Sequence, residues 1–595
     1  MLPRRLMTPR SMVMIPIFLT LLFSIACGGS TQPTEAPASQ TAADTTGGTS
    51  PGSEVAAPTT LPTLALVPPT AAATPTPVVA EGMTTSTTKR IVISLGPLST
   101  ETNLPWDGPS IGWDKRHLYE NLIGVERSTG QLIPEIANEW SVSPDALTWT
   151  FKLRDDVPFH FGLGNVTSRD VKHMIAMSSR EDALASEKKP YNKTIREVEI
   201  VDDQTVKIHQ TKADGFTVPF FNYGGHGGSV VTSKDQWDAV GDEGYRKRPT
   251  GTGSYRYVSR VPSQSILAER VEDHWRKTAE FEELEVVFTS EEATRLATLL
   301  TGQAHIVSLP KDLQQTALDE GMTMSQSVLP AVQVSSFFSG QWYSSPELMK
   351  NEPWAGEDEN SRKVRQAINK AVNRQELLDE IMLGRAEMIR VWGYHSSLVG
   401  WNPDWETRWE EMYGYDPERA RELLAEAGYP NGFKLSLNMS ASSSVPEQLQ
   451  LHEAFGLYLE DVGIEVEFTA ITGAQRSKMR RNREWNDLIF AVSGTYRDPQ
   501  FTVRTYNDPV EGTVHAYEND FIHGVYQELT AAATPEDRNS ALRKIGDHKF
   551  ENFAEIPMFW FQSAVMMNPD VVREYIFPGN RRQIQTHFEF IKAAN

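Results

Sequence analysis

Strand-like and helix-like segments are interspersed from residue 89 to residue 595, and this order limits the folds open to the chain. Apolar residues at every second position, typical of strands, begin near Lys89 and recur at 148–154, 196–210, 253–261, 265–271, 284–289 and 464–471. Apolar residues three and four positions apart, typical of helices, occur at 168–179, 290–304, 361–384, 446–463 and 534–553. Mixed strands and helices in this order predict an α/β or α+β architecture.

One predicted helix is defined at both ends. Residues 414–433 have the sequence GYDPERARELLAEAGYPNGF. Asp416 suits the N-cap, because its carboxylate accepts hydrogen bonds from unpaired backbone N–H groups, and Pro417 suits the first helical position. Gly428 supplies the left-handed residue that ends many helices. The apolar face of this helix consists of Ala420, Leu423, Leu424 and Ala427. We therefore predict a structural helix that packs on a sheet.

The N-terminal segment is typical of an exported protein. Three arginines, at positions 4, 5 and 10, precede an apolar run at 12–26. A membrane-spanning helix needs about 20 apolar residues, so this shorter run is more typical of a signal peptide. The segment 1–26 is accordingly predicted to be removed on export.

Cys27 follows this run directly and is the single cysteine of the chain. Small residues before a cysteine and Gly-Gly-Ser after it resemble the lipobox of bacterial lipoproteins, although Ser24 stands where leucine is usual. The resemblance implies that Cys27 is lipidated. Without a second cysteine the folded part has no disulfide, so its stability depends on packing.

Residues 27–88 differ in composition from the remainder. They are dominated by Thr, Ala, Pro, Ser and Gly and, beyond Cys27, contain no aromatic residue, so they cannot form a core. We interpret them as an extended tether between a lipid anchor and the folded part. The alternative is a disordered tail without a role.

Charge and motifs restrict the function. The formal net charge is −21, which argues against nucleic acid as a partner, since a basic face supplies most of that affinity. The zinc-protease motif H-E-x-x-H is absent, and a lipidated Cys27 cannot be a nucleophile. The thirteen histidines form no cluster of metal-ligand spacing, so neither a metal nor a cofactor is expected.

Several blocks resemble one known family. Residues 415–433 match the signature YDPxxAxxLLxEAGYxxGF of the peptide/nickel family (family 5) of solute-binding proteins, which feed ATP-binding-cassette importers. Further blocks follow in the family's order, with Ser254 in place of a usual proline, at 118–162, 251–275, 362–386 and 494–501. The resemblance covers essentially all of 90–595.

This resemblance implies a two-lobed α/β fold of the periplasmic-binding-protein type (type II, large cluster), with a domain inserted in the N-terminal lobe. Lobe I is expected to comprise 90–130, 249–333 and 555–595. The inserted domain is expected at 131–248 and lobe II at 334–554. The helix that follows Asp416 would then belong to lobe II.

The resemblance also implies a function. The protein is expected to be a monomer on the outer face of the cytoplasmic membrane, periplasmic or extracellular, held there by its lipid. It would capture an oligopeptide, an oligosaccharide or another small polar solute between its lobes and deliver it to a permease and ATPase complex. Two alternatives remain: a surface sensory or adhesion protein that is not coupled to import, and a surface enzyme.

Two departures bear on the ligand. Dipeptide-binding members place an aspartate for the peptide ammonium group where this chain has Thr495, and an arginine for the carboxylate where it has Ser443. If the match is displaced by a residue or two, Asp498 would take over the ammonium group. A dipeptide would otherwise bury both charged ends without partners. These departures predict a neutral or hydroxyl-rich solute, or a longer peptide held by its backbone.

Other predicted ligand contacts are aromatic or lie in loops. The Gly-rich loop at 224–229 is interpreted as a cleft wall that admits ligand to the backbone, and aromatic side chains suit sugar rings or peptide side chains. The basic run at 476–485 is interpreted as a solvent-exposed helix face. The remaining candidates are Ser110, Tyr223, His226, Trp392, Tyr394 and Tyr496.

We predict that Cys27 carries the lipid. Metabolic labelling with a fatty-acid analogue should mark the wild-type protein, and the Cys27→Ser variant should lose the label because it lacks the thiol that is acylated. Equal labelling of the two proteins would contradict the prediction.

Overall fold

The computed structural model describes residues 89–96, 101–108, 113–185, 187–212, 221, 229–440, 445, 447–494, 498–532, 534–579 and 586–594. The predicted signal peptide, Cys27 and the tether lie outside these ranges. Within them, no helix has the length and apolar character needed to cross a membrane.

The described residues form 21 strands and 15 α-helices. The strands are β1 Arg90–Leu95, β2 Ile123–Val125, β3 Leu132–Pro134, β4 Ala137–Val142, β5 Thr148–Leu153, β6 Ile195–Ile200, β7 Thr205–Gln210, β8 Tyr255–Val261, β9 Ser265–Arg270, β10 Glu283–Phe288, β11 Ile306–Val307, β12 Thr323–Gln326, β13 Val332–Phe338, β14 Glu387–Met388, β15 Lys434–Met439, β16 Glu465–Ala470, β17 Leu488–Gly494, β18 Glu555–Phe561, β19 Ala564–Met567, β20 Val572–Glu574 and β21 Lys592–Ala593. The helices are α1 Ser168–Ser179, α2 Lys188–Thr194, α3 Lys234–Lys247, α4 Glu292–Leu300, α5 Lys311–Asp319, α6 Glu359–Lys370, α7 Arg374–Glu380, α8 Asp404–Thr407, α9 Trp409–Tyr413, α10 Pro417–Glu426, α11 Gln448–Asp461, α12 Gly473–Asn482, α13 Pro499–Tyr506, α14 Asp520–Ala531 and α15 Pro535–Glu551.

Three sheets of four or more strands organise these elements. The seven-stranded sheet has the order β12-β19-β11-β1-β10-β9-β8, with β1 parallel to both of its neighbours. The six-stranded sheet has the order β14-β18-β13-β17-β15-β16, with β15 parallel to β16 and β17. The four-stranded sheet is antiparallel, in the order β4-β5-β7-β6. The expected mixed α/β architecture is confirmed.

Along the described strands, the chain passes between the two larger sheets at two adjacent segments, 327–331 and 562–563. The Ser327 N–H donates to the Ser563 carbonyl at 2.7 Å, and the Ser563 N–H donates to the Ser327 hydroxyl at 3.0 Å. Strand β18 lies in the six-stranded sheet although its residues fall in the range expected for lobe I. The domain boundaries themselves stay a prediction.

The helix that the sequence defines at both ends is confirmed as α10. The Asp416 carboxylate accepts a hydrogen bond from the Arg419 N–H at 2.9 Å, and Gly428 has a φ of 98°. Leu423 and Leu424 are buried in the core that covers the six-stranded sheet. Signals in the local sequence were therefore sufficient to predict this helix.

The single helix predicted at 361–384 is wrong. Two helices, α6 and α7, replace it, and Asn373 lies at the break. The Asn373 side chain accepts a hydrogen bond from the Glu376 N–H at 3.2 Å and so begins a new helix. Asparagine favours such caps over helix interiors, because its side chain competes for backbone hydrogen bonds.

The burial of Leu423 gives a stability prediction. Leu423→Ala should lower the free energy of unfolding by about 2–5 kcal/mol, because it leaves a cavity beneath α10. Glu418→Ala, on the exposed face of the same helix, should change it by less than about 0.5 kcal/mol. Urea denaturation followed by circular dichroism compares the two, and equal effects would contradict the assigned packing.

Candidate functional site

A cavity of about 680 Å³ lies between α2, which directly precedes β6 of the four-stranded sheet, and elements around the end of β17. Helices α12 and α13, the last residues of β17 and the segment 510–514 form its other walls. Its size falls within the usual range of small-molecule sites. Thr495 and Tyr496 follow directly on β17 in the sequence, but both lie outside the described residues.

Helix α12 brings basic side chains to this cavity. Arg476 and Arg480 are four residues apart, so they project from the same face of the helix, and both line the cavity with Arg481. A capping box of Thr472 and Gln475 begins the helix. The interpretation of this basic run as a solvent-exposed face is wrong for Arg480, which is 7% exposed.

The surroundings of the Arg480 guanidinium are aromatic. Its central carbon lies 5.1 Å from the ring centre of Tyr506 and 5.6 Å from that of Phe337. Among the described residues it has neither a hydrogen-bond acceptor nor an ion-pair partner, and its Nη2 is buried. Cation–π contacts compensate only part of the cost of burying a charge.

The carboxylate of Glu511, unlike the guanidinium of Arg480, is surrounded by groups of opposite charge. Its carboxylate hydrogen-bonds to Lys212, lies 3.6 Å from the Lys193 ammonium and 3.4 Å from Nε of Arg504. Burial opposes ionisation of Glu511, but the hydrogen bond and charges of these cations prevail, so its pKa lies below the ordinary value. Lys193 and Lys212 belong to the expected inserted domain and Glu511 to the expected lobe II, so this cluster bridges the two segments.

An apolar contact accompanies this bridge. Phe501 of α13 is buried in the core cluster of the four-stranded sheet, among residues that include Phe151 and Tyr191. Ion pairs and an apolar side chain therefore hold the same two segments together beside the cavity.

Two of the predicted aromatic residues lie in the core. Trp392 is fully buried and packs edge-on against Phe337 and Tyr506, at centroid distances of 5.2 and 5.5 Å, so it supports the rings that contact Arg480. Tyr394 is also buried, and its hydroxyl donates to the Leu542 carbonyl at 2.8 Å. Neither lines the cavity in this structure, and their assignment to the ligand site stays a prediction.

The carboxylate of Asp498 caps a helix and forms an ion pair. It is the N-cap of α13, where its carboxylate accepts from the Gln500 N–H at 2.9 Å, and it also pairs with Arg538. Its carboxylate therefore already has a cationic partner in this structure. A contact with a ligand ammonium group stays a prediction.

The other predicted site residues lie outside the described ranges: Ser110, Tyr223, His226, Ser443, Thr495 and Tyr496. Within those ranges, no group of three or more histidine, cysteine, aspartate or glutamate side chains could hold a metal ion. Arg480 was missed by the sequence analysis, and its spacing of four residues from Arg476 was the available signal.

Comparison with known proteins assigns the family. The model "Bacterial extracellular solute-binding proteins, family 5 Middle" matches residues 131–513, more than half of the chain. The chain belongs to this family. The solute-binding proteins of family 5 are extracytoplasmic binding proteins and not enzymes, which confirms the expected class.

Relatives support this assignment. Heme-binding protein A of Haemophilus influenzae is 24% identical over 68% of this chain and 74% of its own length. Glutathione-binding protein GsiB of Pectobacterium atrosepticum is 30% identical over 65% of this chain and 70% of its own length. The periplasmic binding protein DppA of Helicobacter pylori, solved with the peptide STSA, is 20% identical and has a TM-score of 0.65, over 85% of this chain and 98% of that one. The two-lobed fold is thereby confirmed.

The charge cluster of this solute-binding protein gives a pH-dependent prediction. Glu511→Gln should lower the free energy of unfolding at pH 7 by about 1.5–3 kcal/mol, because it removes a buried charged acceptor. The pKa of Glu511 is lower in the folded state than its ordinary 4.5. The ionised form therefore stabilises the fold fully above that value, and the stabilisation disappears as the pH falls through the folded-state pKa.

Urea denaturation of both proteins between pH 7 and pH 3 measures this difference, which should shrink at the acid end. Glu528→Gln is a suitable control, since Glu528 pairs with Lys544 at 3.1 Å on the exposed surface. That variant should change the free energy of unfolding by less than about 1 kcal/mol. A difference that is constant with pH would exclude the assigned role of Glu511.

Proposed function

We propose that this protein captures a small polar solute, an oligopeptide or a similar molecule, in the cavity beside α12 and delivers it to the permease and ATPase of an ABC importer. The observation that carries the proposal is a cavity of about 680 Å³ whose walls come from two segments bridged at Glu511. A lipid on Cys27 and the 27–88 tether would keep the protein at the outer face of the membrane.

The proposed mechanism is closure without chemistry. The segments 327–331 and 562–563 are adjacent, so rotation at this seam would move the two larger sheets relative to each other with little change elsewhere. A solute that contacts both sides of the cavity binds the closed state more tightly than the open state, and so shifts the population toward closure.

The ligand is not set by family membership, since the relatives named above bind, by name, heme or glutathione. We favour a peptide longer than two residues, or an oligosaccharide, because Thr495 and Ser443 offer no charge for the two ends of a dipeptide. A buried ion pair that loses one partner costs about 3–5 kcal/mol, which is a hundred- to several-thousand-fold in affinity.

A surface sensor or adhesion protein could use the same fold for binding alone. An importer component should have permease and ATPase genes beside its own, whereas a sensor or an adhesion protein need not. The gene neighbourhood therefore distinguishes the two functions.

Calorimetry and solution scattering test the proposal together. We expect glutathione or the tetrapeptide Ser-Thr-Ser-Ala to bind more tightly than free dipeptides, and saturation to reduce the radius of gyration. A dipeptide of sub-micromolar affinity would refute the ligand preference. An unchanged scattering profile at saturation would refute closure, and turnover of the bound solute would indicate an enzyme.

A further inference from the structure

Helix α5 packs on the seven-stranded sheet, but its first residue contacts the start of α11. Ala317 of α5 is buried in the same core as Val307 of β11. The N-cap of α5 is Pro310, whose side chain accepts no hydrogen bond, so the first N–H groups of the helix depend on other partners. The first of these, the Lys311 N–H, donates to the Glu447 carboxylate at 3.0 Å.

Glu447 belongs to the side of the six-stranded sheet. It directly precedes α11, whose Leu451 and Phe455 are buried in the core that covers that sheet. Its carboxylate does not cap α11. The oxygen that accepts from the Lys311 N–H also lies 3.4 Å from the Lys311 ammonium. An acidic side chain thus stabilises the positive end of a helix that packs on the other sheet.

A second side chain from the same side contacts α5. Arg385 lies two residues before β14, the edge strand of the six-stranded sheet. Its guanidinium donates to the side-chain oxygen of Gln314 at 3.2 Å and to that of Gln315. We call Lys311, Gln314, Gln315, Arg385 and Glu447 the α5 clasp. These contacts between the two sides are all polar, so water can replace them when the sides separate.

The α5 clasp lies on the cavity side of the seam. Strands β15 and β17 are parallel, so their carboxyl ends lie at the same edge of the six-stranded sheet. Glu447 follows the end of β15, and the cavity of about 680 Å³ lies at the end of β17. Rotation at the seam that opens this cavity therefore moves Glu447 and Arg385 away from α5. A hydrogen bond is lost beyond about 3.5 Å, so a small rotation is sufficient.

The α5 clasp is less exposed than the bridge at Glu511. The side chains of Lys311 and Glu447 are 11% and 9% exposed, whereas those of Lys193 and Lys212 are 46% and 45% exposed. Exposed ion pairs contribute little, because water and salt screen them. In the clasp, one carboxylate receives both a backbone hydrogen bond and a charge. We therefore expect the clasp, rather than the bridge, to decide how readily the two sheets separate.

We propose that the α5 clasp stabilises the closed state before a solute is bound, and that Glu447 is its main residue. This inference rests on the proposed closure and assigns its control to residues that are not among the described lining residues of the cavity. A hydrogen bond to a charged group shifts an equilibrium roughly tenfold to a hundredfold. Loss of the clasp should shift the ratio of open to closed molecules by about that factor, and the apparent affinity for every solute then falls by one common factor.

Distances between two spin labels measure the closed fraction without solute. Glu197→Cys on β6 and Lys478→Cys on α12 place labels at exposed positions on opposite sides of the cavity, in a full chain that also carries Cys27→Ser. By double electron–electron resonance, this ligand-free parent should show a large closed population. Glu447→Ala should raise the ratio of open to closed molecules about tenfold or more. Glu447→Gln should raise it less, because it keeps an acceptor for the Lys311 N–H.

The matched control is Glu453→Gln, which removes one acidic charge from an exposed position of α11. It should leave the distance distribution unchanged. Arg385→Gln, a second variant of the clasp, should raise the open fraction. The inference is overturned if Glu447→Ala and Arg385→Gln keep the distribution of the parent, if the ligand-free parent is wholly open, or if Glu453→Gln opens the protein as much as Glu447→Ala.

Calorimetry with glutathione and the tetrapeptide Ser-Thr-Ser-Ala separates the clasp from a direct contact with solute. Glu447→Ala should weaken the binding of both by the same factor, because both bind the same closed state. Unequal factors would show that Glu447 contacts the solute and would overturn the inference. If neither probe binds the parent, the proposed choice of solutes fails, whereas the label distances still decide whether the clasp stabilises closure.

Discussion

The passage of the chain between its two larger sheets at two adjacent segments is the constraint on which the remaining architecture depends. Each sheet has its own buried core, and the two cores are separate clusters. The seam at Ser327 and Ser563 is tied by one backbone hydrogen bond and one hydrogen bond from backbone to side chain, while a nearby contact, Lys311 with Glu447 at 3.4 Å, is an ion pair. Ion pairs exchange for water far more readily than an apolar core does. Rotation at the seam therefore leaves the cores of the two larger sheets intact.

Glu511 and Arg480 line the same cavity but have opposite electrostatic situations. Glu511 holds cations from both sides of the cavity, so separation of the two segments would remove Lys193 and Lys212 from it and leave Arg504 as its partner. Arg480 lies on one side only, against Tyr506 and Phe337. The cations around Glu511 thus depend on whether the cavity is closed, whereas the aromatic surroundings of Arg480 do not.

Elements whose signals are local could be predicted from the sequence. The cap at Asp416 depends on residues within a few positions of each other, and the strand-like alternation at 196–210 depends on spacing alone. The first is present in α10, and the second forms the antiparallel strands β6 and β7. The break at Asn373 was missed because apolar spacing continues across it, while one side-chain hydrogen bond decides where a new helix begins. The spacing of apolar residues shows which face of a helix is buried, but it does not show whether the segment forms one helix or two.

The site could not be predicted in the same way, because exposure at a cavity is set by distant elements. Trp392 carries the same aromatic signal as Tyr506 and both side chains are buried, yet only Tyr506 lines the cavity. Helix α12 is almost wholly polar, so no apolar stripe attaches it to the protein. Met479 packs against the core, Arg476 donates to the Ser440 hydroxyl at 2.9 Å, and Arg483, the residue after the helix, pairs with Glu518 at 2.7 Å. The buried position of Arg480 is therefore set by Tyr506 and Phe337, which come from other parts of the chain, and the polar sequence of α12 itself gives no sign of it.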